Sequence, residues 1–278
     1  VTLAIADADR SVAFYRDFLG LEVLRADGSR IALGVAGTEL IALEADSALQ
    51  PPSRGTTGLY HVAILLPTRA DLAQILRRLV DAGHRFGASD HLVSEALYLN
   101  DPDRNGLEIY RDRPRTEWRW RGSRVEMDTI QFDGAGVMRD LREVREPWRM
   151  PAGTRIGHIH LKVADLGEAE TFYHGVLGFD VTTTYPGALF LSAGGYHHHI
   201  GANTWESAGG TPPPPGSTGL RSFTINLPDA TALGQVQSRL AAAGVPLRDR
   251  DGAVAAEDPV RNSVLLAVGA PDAAVRTS

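Results

Sequence analysis

Two histidines and a glutamate, His61, His158 and Glu108, are the residues of this 278-residue chain whose types and placement could do chemistry together. His61 stands in GLYHVAILLPT and His158 in GHIHLKV, both alternating apolar stretches that read as strands. Glu108 stands in NGLEIY, an otherwise apolar strand ending, where a carboxylate is costly to bury unless it is paired or metal-bound. Two imidazoles and one carboxylate on strands lining one cavity match the facial set that leaves open positions on Fe(II) for substrate and oxygen. The same donors suit a zinc hydrolase.

The other histidines are unevenly spread, six of the nine falling between His158 and His199. Alternation along His158-Ile159-His160-Leu161-Lys162 puts His158, His160 and Lys162 on one face and the apolar residues on the other, which is the wall of a polar cavity and not half of a core. The run His197-His198-His199, read as part of a strand, can send only one or two imidazoles into that cavity. Alignment with Leu40 and Ala42 selects His198. His91, in SDHLVSE, reads as a surface-loop residue, with the cavity mouth as the alternative.

These side chains must be positioned by a unit of about 50 residues that is read four times along the chain. VTLAIADADRSVAFYRDFLGLEV from Val1 and IHLKVADLGEAETFYHGVLGFDV from Ile159 share an apolar strand, an Ala-Asp step, a helical Phe-Tyr and a Leu-Gly end. GLYHVAILLPTRADL from Gly58 and GLRSFTINLPDATAL from Gly219 share Gly-Leu, an alternating strand, Leu-Pro and a helix opening. Each copy reads as strand, helix and three strands, an α+β arrangement of four βαβββ modules. Leu72, Ile75, Leu76 and Leu79 give the helical spacing, and Gly20, Gly83, Gly178 and Gly244 sit where helices should stop.

The expected divisions are a first module pair over 1–113 (modules 1–46 and 58–113), a linker over 114–153, a second pair over 154–268 (modules 157–203 and 219–268) and a tail over 269–278. The linker holds Trp118, Trp120 and a short helical pattern from Val137 to Val144. WESAGGTPPPPGSTG reads as an exposed polyproline-like loop. The copies differ where it matters: the slot of His61 and His158, seven residues before Thr68 and Asp165, holds Ser222 in the fourth copy and falls before Val1 in the first. Leu265 replaces Glu108 in the fourth. Since Val1 lies inside a strand, further residues are expected upstream.

A net charge of −6 with a pI near 5.8 argues against a nucleic-acid partner, and the arginine-rich stretch from Arg111 to Arg124 reads as a solvated linker. The absence of cysteine excludes disulfides, thiolate metal sites and cysteine nucleophiles. No stretch approaches the roughly 18 to 20 apolar residues of a membrane span. No secretory leader is visible, so a cytoplasmic protein with no membrane partner is expected.

The fourfold module, the Phe-Tyr and Leu-Gly signature and the DPDRNGLEIY ending resemble the vicinal oxygen chelate superfamily of glyoxalases, bleomycin-resistance proteins and type I extradiol dioxygenases. GLYHVAILLP, GHIHLKVADL and GGYHHHIGANTW are similar to two-domain catechol-2,3-dioxygenases. The resemblance covers nearly the whole chain and implies two incomplete-barrel domains and ring cleavage of a small aromatic diol by O2, on Fe(II) or alternatively Mn(II). Carried over residue by residue, the metal ligands are His61, Glu108 and His158. His198 maps on the cavity histidine beside the diol, Tyr98 on the tyrosine before the final turn, and His160 would orient substrate oxygens.

The resemblance also poses a difficulty, because related catechol enzymes complete their site in modules three and four, where this chain has Ser222 and Leu265. Pairing modules two and three in one barrel would unite His61, Glu108 and His158; pairing modules one and two would require a third ligand before Val1. The first arrangement is preferred because it also accounts for the histidines of module three. Two other functions are compatible with the family: a glyoxalase-like isomerase or lyase using Zn(II) or Ni(II), and a non-enzymatic drug-resistance type binding protein in which Trp118, Trp120 or Trp205 stacks on a flat ligand. A homo-oligomer is compatible with the sequence.

Overall fold

The computed structural model describes residues 1–250 and 252–269, so most of the expected tail lies outside the described residues. The chain opens with β1 (Thr2–Ile5), α1 (Ala8–Val12, continued by π-helical turns over Ala13–Phe18), β2 (Glu22–Asp27), β3 (Arg30–Val35) and β4 (Thr38–Ala45). Next come β5 (Gly58–Leu65), α2 (Arg69–Asp81), β6 (Gly87–Asp90), β7 (Ser94–Asn100) and β8 (Gly106–Asp112). The linker contributes β9 (Trp120–Arg121), β10 (Arg124–Val125) and α3 (Gly134–Arg139). Then follow β11 (Arg155–Lys162), α4 (Leu166–Glu170, with π-helical turns over Thr171–Val176), β12 (Asp180–Tyr185), β13 (Ala188–Ser192) and β14 (Ile200–Asn203). The last segment is β15 (Gly219–Leu227), α5 (Ala230–Ala242), β16 (Arg248–Arg250), β17 (Ala253–Glu257) and β18 (Ser263–Val268).

The recurring sequence signals have local causes. Asp7, Thr68, Asp165 and Asp229 cap α1, α2, α4 and α5, each side chain accepting a backbone N–H three residues on. Gly20, Gly83, Gly178 and Gly244 stop the helices in left-handed conformations with φ between 58 and 88°. The helical pattern expected over Val137 to Val144 starts and ends earlier, as α3, because the Asp133 side chain caps at Gly136 N.

The strands form two eight-stranded, partly closed sheets. One has the order β16-β17-β18-β15-β1-β4-β3-β2, the other β12-β13-β14-β11-β5-β8-β7-β6. Each sheet therefore takes strands from both halves of the chain: β5 pairs antiparallel with β11, and β1 with β15. The apolar cores divide differently. Leu3, Ile5, Leu33 and Ile41 pack in one cluster with Ile64, Leu72, Leu79 and Ile109, whereas Leu161, Tyr173 and Leu191 pack with Phe223, Leu240 and Val264. Consecutive segments thus share a core and non-consecutive segments share a sheet.

Two tyrosines couple the sheets. Tyr15 Oη donates to Asp101 Oδ2 at 2.9 Å and Tyr173 Oη donates to Asp258 Oδ2 at 2.7 Å, all four side chains being buried. Asp101 also accepts from the Asp103 and Asn105 amides and from Asn105 Nδ2, and so builds the turn of DPDRNG; Asp258 does the same in DPVRN. The Phe-Tyr and Asp-Pro motifs are therefore two halves of one contact.

The linker is not simply solvated. Arg111 and Arg113 pair with the fully buried Glu95, which also takes Arg69 Nε at 2.7 Å, while Arg113 reaches Asp90. Burial pushes the Glu95 carboxyl up, but the guanidiniums of Arg69 and Arg111 outweigh it and hold it below its usual value. Trp148 inserts into the first core, its indole N–H donating to Leu19 O at 2.8 Å. Among the described residues no helix is long and apolar enough to cross a membrane.

Tyr15→Phe should lower the unfolding free energy by about 1 kcal/mol and Asp101→Ala by about 3 kcal/mol, since the second change leaves several buried donors unpaired. Urea unfolding followed by circular dichroism measures both, and equal losses would contradict the role given to Asp101.

Candidate metal centre

Sheet register alone brings the candidate ligands together. Ala63 on β5 lies opposite His158 on β11 and beside Glu108 on β8, so the three side chains share one row and one face of the sheet. His61 precedes Ala63 by two residues and falls on the same face, opposite His160. Ala63 is small and buried, which leaves space in front of it. Into that space His158 Nε2 comes to 3.0 Å from Glu108 Oε2, and His61 Nε2 to 2.9 Å from the same oxygen. Donor atoms of all three residues lie within 4.8 Å of one another. Among the described residues this is the cluster of three or more such groups able to hold a metal ion.

The donors fit a divalent metal. All three residues are at most 5% exposed. The close approach of His61 Nε2 to Glu108 lacks hydrogen-bond alignment, so this nitrogen is buried without a hydrogen-bond partner, as is His158 Nδ1. Such groups are rare unless they serve a ligand. Burial pushes the Glu108 carboxyl up, but His158 and His61 outweigh it and keep it well below its usual value. Burial lowers the His158 imidazole to about 4 against the opposing pull of Glu108, which leaves a neutral nitrogen donor at neutral pH. A buried carboxylate beside the neutral His158 imidazole invites the positive charge that a divalent ion would supply.

The cluster opens onto a cavity of about 440 Å³, lined by His61, Glu108, Tyr98, His160 and His198. Tyr98 lies opposite Glu108 in the β7–β8 register, and its hydroxyl is 2.6 Å from His91 Nε2. His91 Nδ1 in turn meets Asp128 O at 2.9 Å, so a proton on Nδ1 leaves Nε2 to accept from the tyrosine. His91 thus stands at the cavity, the second of its two sequence readings, and not in a free surface loop. Burial, then Glu108, pushes the Tyr98 hydroxyl well above its usual range, so it remains a proton donor.

His160 is buried beside Asn203, whose Nδ2 is 3.0 Å from its Nε2. A Cβ on Gly201, its neighbour in β14, would sit 2.8 Å from the His160 ring, so glycine is required there. Lys162 does not line this cavity: β5 spends Tyr60 as an extra residue opposite the step from His160 to Leu161, and Lys162 lies beyond that irregularity, opposite Gly58.

The histidine run departs from expectation for a related reason. His197, His198 and His199 lie in the connection between β13 and β14, outside either strand, so alternation does not govern them. His197 and His198 are both buried, with Nδ1 atoms 2.8 Å apart. His197 Nε2 is 2.9 Å from Asp112 Oδ1, and Trp118 packs edge-on against its ring at 5.1 Å. With the Nε2 proton of His197 on Asp112, its Nδ1 accepts from His198 Nδ1–H and leaves His198 Nε2 with a free lone pair. The His198 ring lies 4.1 Å from His158 and 5.0 Å from Phe190. Burial, and after it His158 and His197, depresses the His198 imidazole well below its usual value, so it is neutral at neutral pH.

Further walls were not foreseen: Tyr60, Tyr185 and Phe190 on one side and Met127, Asp128 and Thr129 of the linker on the other. The linker is pinned across the cavity by Thr183 Oγ1, which donates to Val125 O, and by a backbone bridge between Asp90 and Ile130. No periodicity marks that segment, which is why sequence patterns are silent about it. Of the three tryptophans considered as stacking residues, Trp205 lines the cavity, Trp118 is buried behind it and Trp120 lies outside.

Comparison with known proteins agrees with this geometry. A family model described as the glyoxalase/bleomycin resistance protein/dioxygenase superfamily matches residues 1–109 and 155–256. A catechol-2,3-dioxygenase of Bacillus subtilis (strain 168) is 42% identical over 268 residues, covering 95% of this chain and 94% of that protein. In fold, a crystal structure from Bacillus subtilis superposes with a TM-score of 0.67 at 16% identity, over 98% of this chain and 84% of its own. Glyoxalase I from Zea mays superposes with a TM-score of 0.55 at 15% identity, over 95% and 89%. The chain belongs to the glyoxalase/bleomycin resistance protein/dioxygenase superfamily.

Proposed function

We propose that this protein is a metal-dependent extradiol dioxygenase that cleaves the ring of a catechol-type diol with O2, built from four βαβββ modules. The observation that carries the reading is the buried His61, Glu108 and His158 cluster at the floor of a cavity wide enough for an aromatic ring. Its similarity over nearly the full chain to a catechol-2,3-dioxygenase supports the same activity. These three residues hold the metal, Fe(II) by preference and Mn(II) as the alternative, because imidazole nitrogen with one carboxylate and room for further ligands suits either ion. When bound, the metal supplies Lewis-acid charge for the diolate and a template on which diol and O2 meet.

The surrounding residues handle protons and orientation. His198, neutral and with a free Nε2, takes a proton from the incoming diol. Tyr98, a hydrogen-bond donor supported by His91, and His160, held by Asn203, orient the oxygens of the ring. Phe190 and Trp205 supply aromatic walls for its faces and edges. Neither lysine nor arginine lines the cavity, so the preferred diol carries no anionic substituent.

The glyoxalase-like reading with Zn(II) or Ni(II) has one carboxylate to offer in the cluster, where that chemistry wants two. The binding-protein reading leaves the buried unpartnered nitrogens unexplained.

Protein purified without oxygen and loaded with Fe(II) should consume O2 with catechol and leave a methylglyoxal–thiol adduct unchanged; the reverse would select the isomerase. Glu108→Gln should weaken metal retention about tenfold or more, read by metal analysis after dialysis. His198→Gln should keep its metal while kcat falls by about 10² or more. Catechol should exceed 3,4-dihydroxyphenylacetate in kcat/KM by about tenfold, the cost of leaving a carboxylate without a cation.

A further inference from the structure

A second concavity, of about 940 Å³, shares no lining residue with the imidazole cavity. It lies between the loops that join consecutive segments and the two Asp-Pro turns, and its walls repeat. Thr57-Gly58-Leu59 faces it with Thr218-Gly219-Leu220, and Arg104-Asn105 with Arg261-Asn262. The cleft is thus lined by equivalent residues of two copies of the repeat, one from each sheet.

Arg104 and Arg261 stand at φ 66 and φ 64° in these turns. Glycine adopts that conformation freely, whereas a residue with a Cβ does so at a cost. The turn itself is better served by glycine at either place, so what arginine contributes is its side chain. Neither guanidinium makes an ion pair among the described residues, and the same holds for Arg54 and Lys162 in the same walls. Arg221, the fifth cation, is held by Ser217 O at 2.8 Å. Against them stand Glu206 and an Asp103 already neutralised by Arg10 at 3.0 Å. A cationic cleft on a chain of net charge −6 concentrates anions locally.

A second, independent observation points to a ligand. The hydroxyls of Thr57 and Thr218, residues 3% and 1% exposed, are buried without hydrogen-bond partners. Buried polar groups are normally satisfied. Two equivalent hydroxyls left unsatisfied in the lining of one cationic cleft are donors without an acceptor.

We propose that this cleft is a binding site for a small molecule carrying phosphate or carboxylate groups, separate from the catalytic cavity. Arg104, Arg261 and Lys162 supply the charge, and the Thr57 and Thr218 hydroxyls supply the neutral donors. The repeated walls suit a ligand with an anionic group at each end.

The test is isothermal titration of the metal-loaded protein with inorganic phosphate and, separately, with succinate, at fixed ionic strength. Saturable binding of phosphate alone assigns a phosphate ligand, and of succinate alone a dicarboxylate. The double variant Arg104→Gly/Arg261→Gly removes both guanidiniums while relieving the turn, so its melting temperature should stay near that of the parent. Its affinity for the bound anion should fall about tenfold or more, while Glu108→Gln should bind that anion as the parent does. No saturable heat with either anion, undiminished affinity in the double variant, or loss of binding with Glu108→Gln would each overturn the proposal.

Discussion

The antiparallel pairing of β5 with β11 is the constraint on which the site depends. It joins strands nearly a hundred residues apart in sequence and fixes a register in which His158, Ala63 and Glu108 share one row, with His61 and His160 in the next. A slip of one residue would turn every imidazole to the helix side. The site is therefore a property of the sheet centre, and the loops around it supply walls and not ligands.

That position carries an electrostatic consequence. Burial opposes the charge of Glu108 and the protonation of His158, His160 and His198 alike, and the outcome is one carboxylate among neutral imidazoles. Such a pocket is poor at holding protons and good at holding a divalent cation. The deeper chain from His198 through His197 to Asp112 gives one imidazole a defined orientation and, with the proton of His197 on Asp112, a defined tautomer, something that an isolated buried histidine does not have.

The fold protects this arrangement by bracing in two directions. Consecutive segments share apolar cores, non-consecutive segments share sheets, and the Tyr15–Asp101 and Tyr173–Asp258 contacts fasten a helical turn beside one sheet to a strand turn of the other. Arg69 joins Glu95 of β7 to Asp140 of the linker, and the contacts of Thr183 with Val125 and of Asp90 with Ile130 hold Met127 to Thr129 over the cavity. Neither sheet has a core that belongs to it alone.

Local signals in the sequence determined the elements. Capping aspartates and threonine, left-handed glycines and the two hydrophobic periods are read within a few residues of one another, and they produce the same helices and strands wherever the chain repeats them. That Ser222 and Leu265 stand where His61 and Glu108 stand in the matching segment was also legible from sequence alone. Tertiary structure decided what depends on distant partners. It settled which segments share a sheet, that His91 meets Tyr98 at the cavity, that Lys162 lies outside that cavity, and that the histidine run leaves the strand. These outcomes follow from backbone pairing and packing across long sequence separations. A residue's type and its immediate neighbours carry no record of them.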